Sequence, residues 1–106
     1  MAIETWTMQG FSGLIKLMVG FDMDGTIIDV VVLQHAETPG LGDKIQKEKS
    51  DFSVQFQGKN PEEFELAVEK DNGEVDAITA STITSRAYCE AVQRAYDHFM
   101  EWKKNN

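Results

Sequence analysis

The apolar positions of this chain change period along its length, and each change marks an element. Residues 14–21 are an apolar run bounded by Gly13 and broken by Lys16, which reads as a buried strand. Asp22-Met23-Asp24-Gly25 is turn chemistry, with Gly25 free to take a positive φ. Residues 26–34 are rich in Val and Ile and predict a second strand, so the two runs make a hairpin. The sequence ahead of them is also strand-like, which suggests a trimmed piece of something larger. Pro39-Gly40 suits the centre of a type II turn, and Asp43 is placed to cap a short helix reaching about Lys49.

Phe52-Ser53-Val54-Gln55-Phe56 alternates apolar and polar, as a half-buried strand does. Residues 64–68 look similar, although Pro61-Glu62-Glu63 also suits the start of a helical turn. Asp71-Asn72-Gly73 reads as a turn and residues 75–78 as a short strand. From Ile83 to about Lys104 the period lengthens. Tyr88, Ala91, Val92, Ala95, Phe99 and Trp102 recur three and four residues apart, which defines one face of a long helix, and Lys103 and Lys104 suit its C-terminal end. The expected fold class is α+β: a single domain over residues 1–106, with a small antiparallel sheet of hairpin strands and a long C-terminal helix packed on it.

Composition narrows the partners. Ten basic against 18 acidic residues give a net charge of −8, which argues against a nucleic acid and against an anionic membrane surface. Cys89 is the only cysteine, so the chain contains neither an internal disulfide nor a multi-cysteine metal site; it reads as a small buried hydrophobe. No stretch approaches the roughly 20 apolar residues that span a bilayer, and Met1-Ala2-Ile3-Glu4 does not open a secretory signal. His35 reads as a strand-end residue at the surface, and Glu62, Glu63, Glu65 and Glu69 as a solvated face.

Two segments carry candidate chemistry. Thr79, Ser81, Thr82, Thr84 and Ser85 crowd hydroxyls where the strand-like run gives way to the helix. Such a start offers free N–H groups, here of Ile83, Thr84 and Ser85, and the positive end of a dipole to an anion. The plainer reading is a cluster of N-capping side chains. The second segment, Phe21-Asp22-Met23-Asp24-Gly25-Thr26-Ile27, resembles the first motif of the haloacid-dehalogenase phosphatases. That resemblance would make Asp22 a nucleophile and Asp24 a general acid and base beside Mg²⁺. Against it, the β-forming run 27–33 returns directly, and the sequence downstream does not alternate strands with full helices. A cofactor-free interaction domain is a third reading.

Three segments in order resemble the FMN-binding domain shared by the G subunit of Rnf-type electron-transport complexes and the C subunit of the sodium-pumping NADH:quinone reductase. They are Gly10-Phe11-Ser12-Gly13-Leu14-Ile15, Glu37-Thr38-Pro39-Gly40-Leu41-Gly42, and the run from Asp76 to Ser85. The likeness covers nearly the whole chain. It implies FMN carried as a phosphoester on Thr82, with Thr79, Ser81, Ile83, Thr84 and Ser85 around the phosphate. It further implies that Glu37, Thr38, Gly40, Leu41 and Gly42 lie beside the flavin. Where the family has Gly-Ala before the modified threonine, this chain has Ala80-Ser81.

The same resemblance implies a Mg²⁺-dependent flavin transferase for maturation and the other subunits of an ion-transporting membrane complex as partners. The domain would be a one-electron relay with no catalytic side chain, no metal and no stand-alone activity. It would lie on the extracytoplasmic (periplasmic) side of the bacterial inner membrane, anchored by an N-terminal helix missing from this chain.

Overall fold

The structure, a computed structural model, describes residues 1–78 and 81–105; Thr79, Ala80 and Asn106 lie outside the described residues. Strands β1 (Ala2–Gly10), β2 (Gly13–Phe21) and β3 (Ile27–His35) form an antiparallel meander in the order β1-β2-β3. One long helix, α1 (Thr82–Lys104), follows a segment of turns and short 3₁₀ helices. The expected α+β architecture is therefore present.

Alternation along the strands decides what they bury. Thr5 pairs with Leu17, and Leu17 pairs with Val32. Ile3, Thr5 and Thr7 of β1 share the inner face with Ile15, Leu17, Val19 and Phe21 of β2. Ile27 and Val30 of β3 complete it, with register shifts on either side of the Leu17–Gly20 segment. Helix α1 covers this face with Ala91, Val92, Ala95 and Phe99. The Phe21 and Phe99 rings stack at 5.0 Å, and Thr5 satisfies its buried hydroxyl by donating to the Ala91 carbonyl at 2.9 Å.

The Asp22–Gly25 turn is closed by its own carboxylate. Asp22 Oδ1 accepts the N–H groups of Asp24 (2.9 Å) and Thr26 (3.0 Å), and Gly25 takes a φ of 86°. This side chain is spent on holding a hairpin whose second strand returns at once, so the phosphatase reading of Asp22 and Asp24 is not favoured.

Elsewhere the structure departs from the alternation. Phe52–Phe56 is a 3₁₀ helix and not a strand. The expected strands at 64–68 and 75–78 reduce to a single parallel bridge between Val68 and Val75, and the Asn60 carbonyl opens a turn by accepting the Phe64 N–H at 2.8 Å. Asp43 does not cap a helix. It lies inside the 3₁₀ helix Gly42–Ile45, and its Oδ1 accepts the Gly40 N–H at 2.9 Å. The predicted helix reaching Lys49 ends at Ile45, and the chain continues through turns.

Candidate functional site

The three sequence segments singled out above converge at the N-terminal end of α1. The β1–β2 hairpin brings Phe11 and Ser12 there, and the loop after β3 brings Glu37 to Gly42. Thr38 O accepts the Leu41 N–H at 3.0 Å and Gly40 has a φ of 81°, the positive φ that a type II turn demands at that position. Gly42 then passes so close to the helix that a Cβ on it would stand 2.7 Å from Thr84 Oγ1 and 2.8 Å from Glu37 Cβ.

Glu37, only 4% exposed, ties the segments together. Its Oε1 accepts from the Phe11 N–H (2.9 Å) and from the Thr84 hydroxyl (2.7 Å), and its Oε2 accepts from the Ser12 N–H (2.8 Å). Its own N–H donates to Nδ1 of His35, which is half-buried at the end of β3, at 3.0 Å.

Among the described residues no side chain caps α1. Ser81 stands at the cap position, but its hydroxyl donates to Thr84 Oγ1 at 2.6 Å. Ser85 is turned inward: its hydroxyl donates to Ser81 O and accepts from the Ile78 N–H, both at 2.9 Å, and its N–H makes a backbone bond to Ser81 O. Thr84 and Ser85 are fully buried, whereas Thr82, the first residue of α1, is half-buried and takes part in none of these bonds. Thr79 and Ala80, both weighed on sequence, fall outside the described residues.

Phe11, Thr38, Leu41, Gly42, Ser81 and Thr84 line a cleft of about 60 Å³ beside this helix start. Two of its lining residues are apolar and open, Phe11 at 67% and Leu41 at 42% exposed, and Ile83 on the first turn of α1 is 49% exposed. Phe11 was not among the expected site residues. An aromatic side chain at a hairpin tip between Gly10 and Gly13 was the signal available, because bare apolar surface there gains nothing unless something covers it.

Two further reactive groups of α1, Tyr88 and Cys89, are buried. Burial, with the charge of Asp71 adding to it, pushes the Cys89 thiol up to about 12, and burial likewise raises the Tyr88 phenol far above its ordinary value. A wider groove of about 430 Å³ runs along the outside of α1, but Arg86 is bonded to Asp71 and Arg94 to Glu90 and the Trp6 ring. Among the described residues no cluster of His, Cys, Asp or Glu could hold a metal ion, and no helix is long and apolar enough to cross a membrane.

Among the described residues, a helix start without a side-chain cap beside exposed apolar surface suits a ligand with an anionic end and a flat apolar body. Comparison with known proteins narrows that class. The family model for the FMN-binding domain matches residues 10–97. The chain belongs to this family, and its cofactor is FMN.

Among similar sequences are several named as the G subunit of an ion-translocating oxidoreductase complex. That of Shewanella oneidensis is 44% identical over 103 residues, 94% of this chain and 49% of the relative. That of Salmonella typhi is 47% identical over 96 residues, 88% of this chain and 47% of the relative. The Escherichia coli protein is 45% identical over the same extent. The chain thus spans about half the length of these relatives. Its fold is shared with the crystal structure of Shewanella oneidensis NqrC, at a TM-score of 0.72 and 23% identity, covering 99% of this chain and 54% of that one.

Proposed function

We propose that this chain is the FMN-carrying part of an electron-transfer subunit in an ion-translocating oxidoreductase complex, with the flavin phosphate esterified to Thr82. One observation carries the attachment point. Of the hydroxyls described at the start of α1, those of Ser81, Thr84 and Ser85 are committed to bonds inside the protein, and Thr82 is partly exposed at the first helical position.

The residues present fit the cofactor. A phosphodiester on Thr82 keeps one negative charge, which the first-turn N–H groups of the uncapped helix, including that of Ile83, are placed to bind. A cleft of about 60 Å³ is far smaller than pockets that enclose whole ligands, so the ring would be covered mainly by the exposed rim of Phe11, Leu41 and Ile83. Thr38 and Gly40 shape the loop that presents Leu41. When bound, FMN supplies the electron chemistry of its isoalloxazine ring. The protein contributes attachment, orientation and partial exclusion of water. A covalent tether also keeps the cofactor at high effective concentration, which dilution does not reduce.

The partners that follow are the other subunits of the complex and a Mg²⁺-dependent flavin transferase. The domain would work on the extracytoplasmic side of the membrane, held there by a helix outside this chain. The test is intact mass after co-production with the transferase. The domain should gain one FMN less one water, and Thr82→Ala should gain nothing. A Thr82→Ala protein that still gains the mass would move the attachment elsewhere; a parent that gains none would remove the covalent reading.

A further inference from the structure

We infer that Glu37 is the positioning residue of this site: it locks the β1–β2 turn, the 37–42 loop and the first turn of α1 together, and it fixes the Ser81–Thr84 pair so that Ser81 accepts from a donor group of the ligand. The inference rests on the reading of the α1 start as the FMN seat.

A carboxylate buried to this depth is costly unless donors surround it. Three converge on Glu37: the Phe11 and Ser12 N–H groups at 2.9 and 2.8 Å, and the Thr84 hydroxyl at 2.7 Å. They come from segments 25 to 47 residues away in the chain. Gly42 seals the arrangement, because the space a side chain would need is taken by Glu37 Cβ and Thr84 Oγ1.

The direction of the hydroxyl chain then follows from proton counting. A carboxylate only accepts, so Thr84 spends its single proton on Glu37. Thr84 Oγ1 can therefore meet Ser81 only as an acceptor, and Ser81 spends its own proton on Thr84 across 2.6 Å. Ser85 spends its proton on the Ser81 carbonyl. No hydroxyl proton from these three residues is left for a phosphate, which must rely on the backbone N–H groups of the first turn. Ser81 is among the residues that line the cleft, and with its proton given to Thr84 its Oγ has lone pairs alone to offer a ligand. A phosphate oxygen there would be repelled, whereas a ribityl hydroxyl or a ring N–H would be held. Glu37 thus acts at second hand on the orientation of the flavin.

The test uses the whole domain co-produced with the transferase, in Thr84→Val (same shape, no hydroxyl), Thr84→Ser (hydroxyl kept) and Glu37→Gln forms. The rate of FMN incorporation by intact mass, the visible circular dichroism of the loaded fraction and the melting temperature of the unloaded domain are compared. Thr84→Val and Glu37→Gln should load about tenfold more slowly or worse and alter the visible dichroism, while Thr84→Ser stays within about twofold of the parent and keeps its spectrum. Should Glu37→Gln fail to fold, the two Thr84 variants decide. Thr84→Val loading at the parent rate with the parent spectrum overturns the inference, as does Thr84→Ser failing in the same way as Thr84→Val. A parent that gains no mass overturns this inference together with the flavin reading, so the two failures are told apart.

Discussion

Gly42 sits where a loop meets a helix with no room between them. Ala at this position would bring its Cβ to 2.7 Å from Thr84 Oγ1 and 2.8 Å from Glu37 Cβ, both held by hydrogen bonds and unable to retreat. Overpacking of this kind costs about 1–3 kcal/mol. Gly42→Ala should therefore lower the melting temperature by several degrees and slow FMN incorporation, since the displaced groups are those at the cleft. Gly40 makes the contrast. A Cβ there meets nothing within 4 Å, but its φ of 81° is left-handed, so Gly40→Ala should cost only the conformational strain of about 1–2 kcal/mol. Thermal melts of the two variants, read beside their loading rates, check this. A Gly42→Ala protein as stable as the parent would mean that the loop is not seated on α1. The sequence motif named Gly42 as a site residue, yet it was silent on why, because the close approach depends on Thr84, 42 positions away.

At the scale of elements, Phe52–Phe56 shows what alternation can and cannot reveal. The pattern Phe-Ser-Val-Gln-Phe fits a strand with residues 52, 54 and 56 inward. In the structure Phe52 and Phe56 are buried, but Val54 is 46% exposed and Ser53 takes an inward place. Tyr88 of α1 decides the matter: the Phe52 and Phe56 rings pack on it at 5.0 and 5.1 Å, which holds the segment in a 3₁₀ turn. Phe56→Ala should cost about 3–5 kcal/mol, as for any large buried ring. Val54→Ala should fall within about 0.5 kcal/mol of the parent. A strand would make Val54 costly as well, so urea titration of the pair separates the two arrangements. The β2–β3 hairpin and α1 were legible because each carries its own period over eight residues or more. The segment 43–78 was not, since its elements are short and pack on both β3 and α1. The segments that meet at the candidate site were legible as motifs in order, and their wiring through Glu37 was not, because hydrogen bonds across 25 to 47 residues leave no local pattern.

Across the whole molecule, Tyr88 and Cys89 link stability to pH. They are adjacent on α1 and buried in the core that joins the sheet, the helix and the 3₁₀ segment. Burial raises the Tyr88 phenol above its ordinary value and pushes the Cys89 thiol up to about 12, and Tyr96 is also raised, first by burial. In an unfolded chain a thiol releases its proton near about 8.5 and a phenol near about 10. Below those values both states hold the protons and the full stability is present. As pH rises from about 9 toward the folded thiol value, the unfolded state binds fewer protons than the folded one, so stability falls by at most about 1.4 kcal/mol per pH unit for the thiol. The melting temperature should therefore hold steady through neutral pH and decline above about pH 9. Cys89→Ala should flatten the first part of that decline, where only the thiol titrates, and leave the later part due to the tyrosines. The same thiol should resist alkylation at about pH 8 in the native domain and react once the domain is denatured. If Cys89→Ala follows the parent curve across this range, the decline instead reflects the mounting net negative charge of a chain already at −8. Added salt would then restore the lost stability, whereas salt leaves a proton released from a buried thiol largely unaffected.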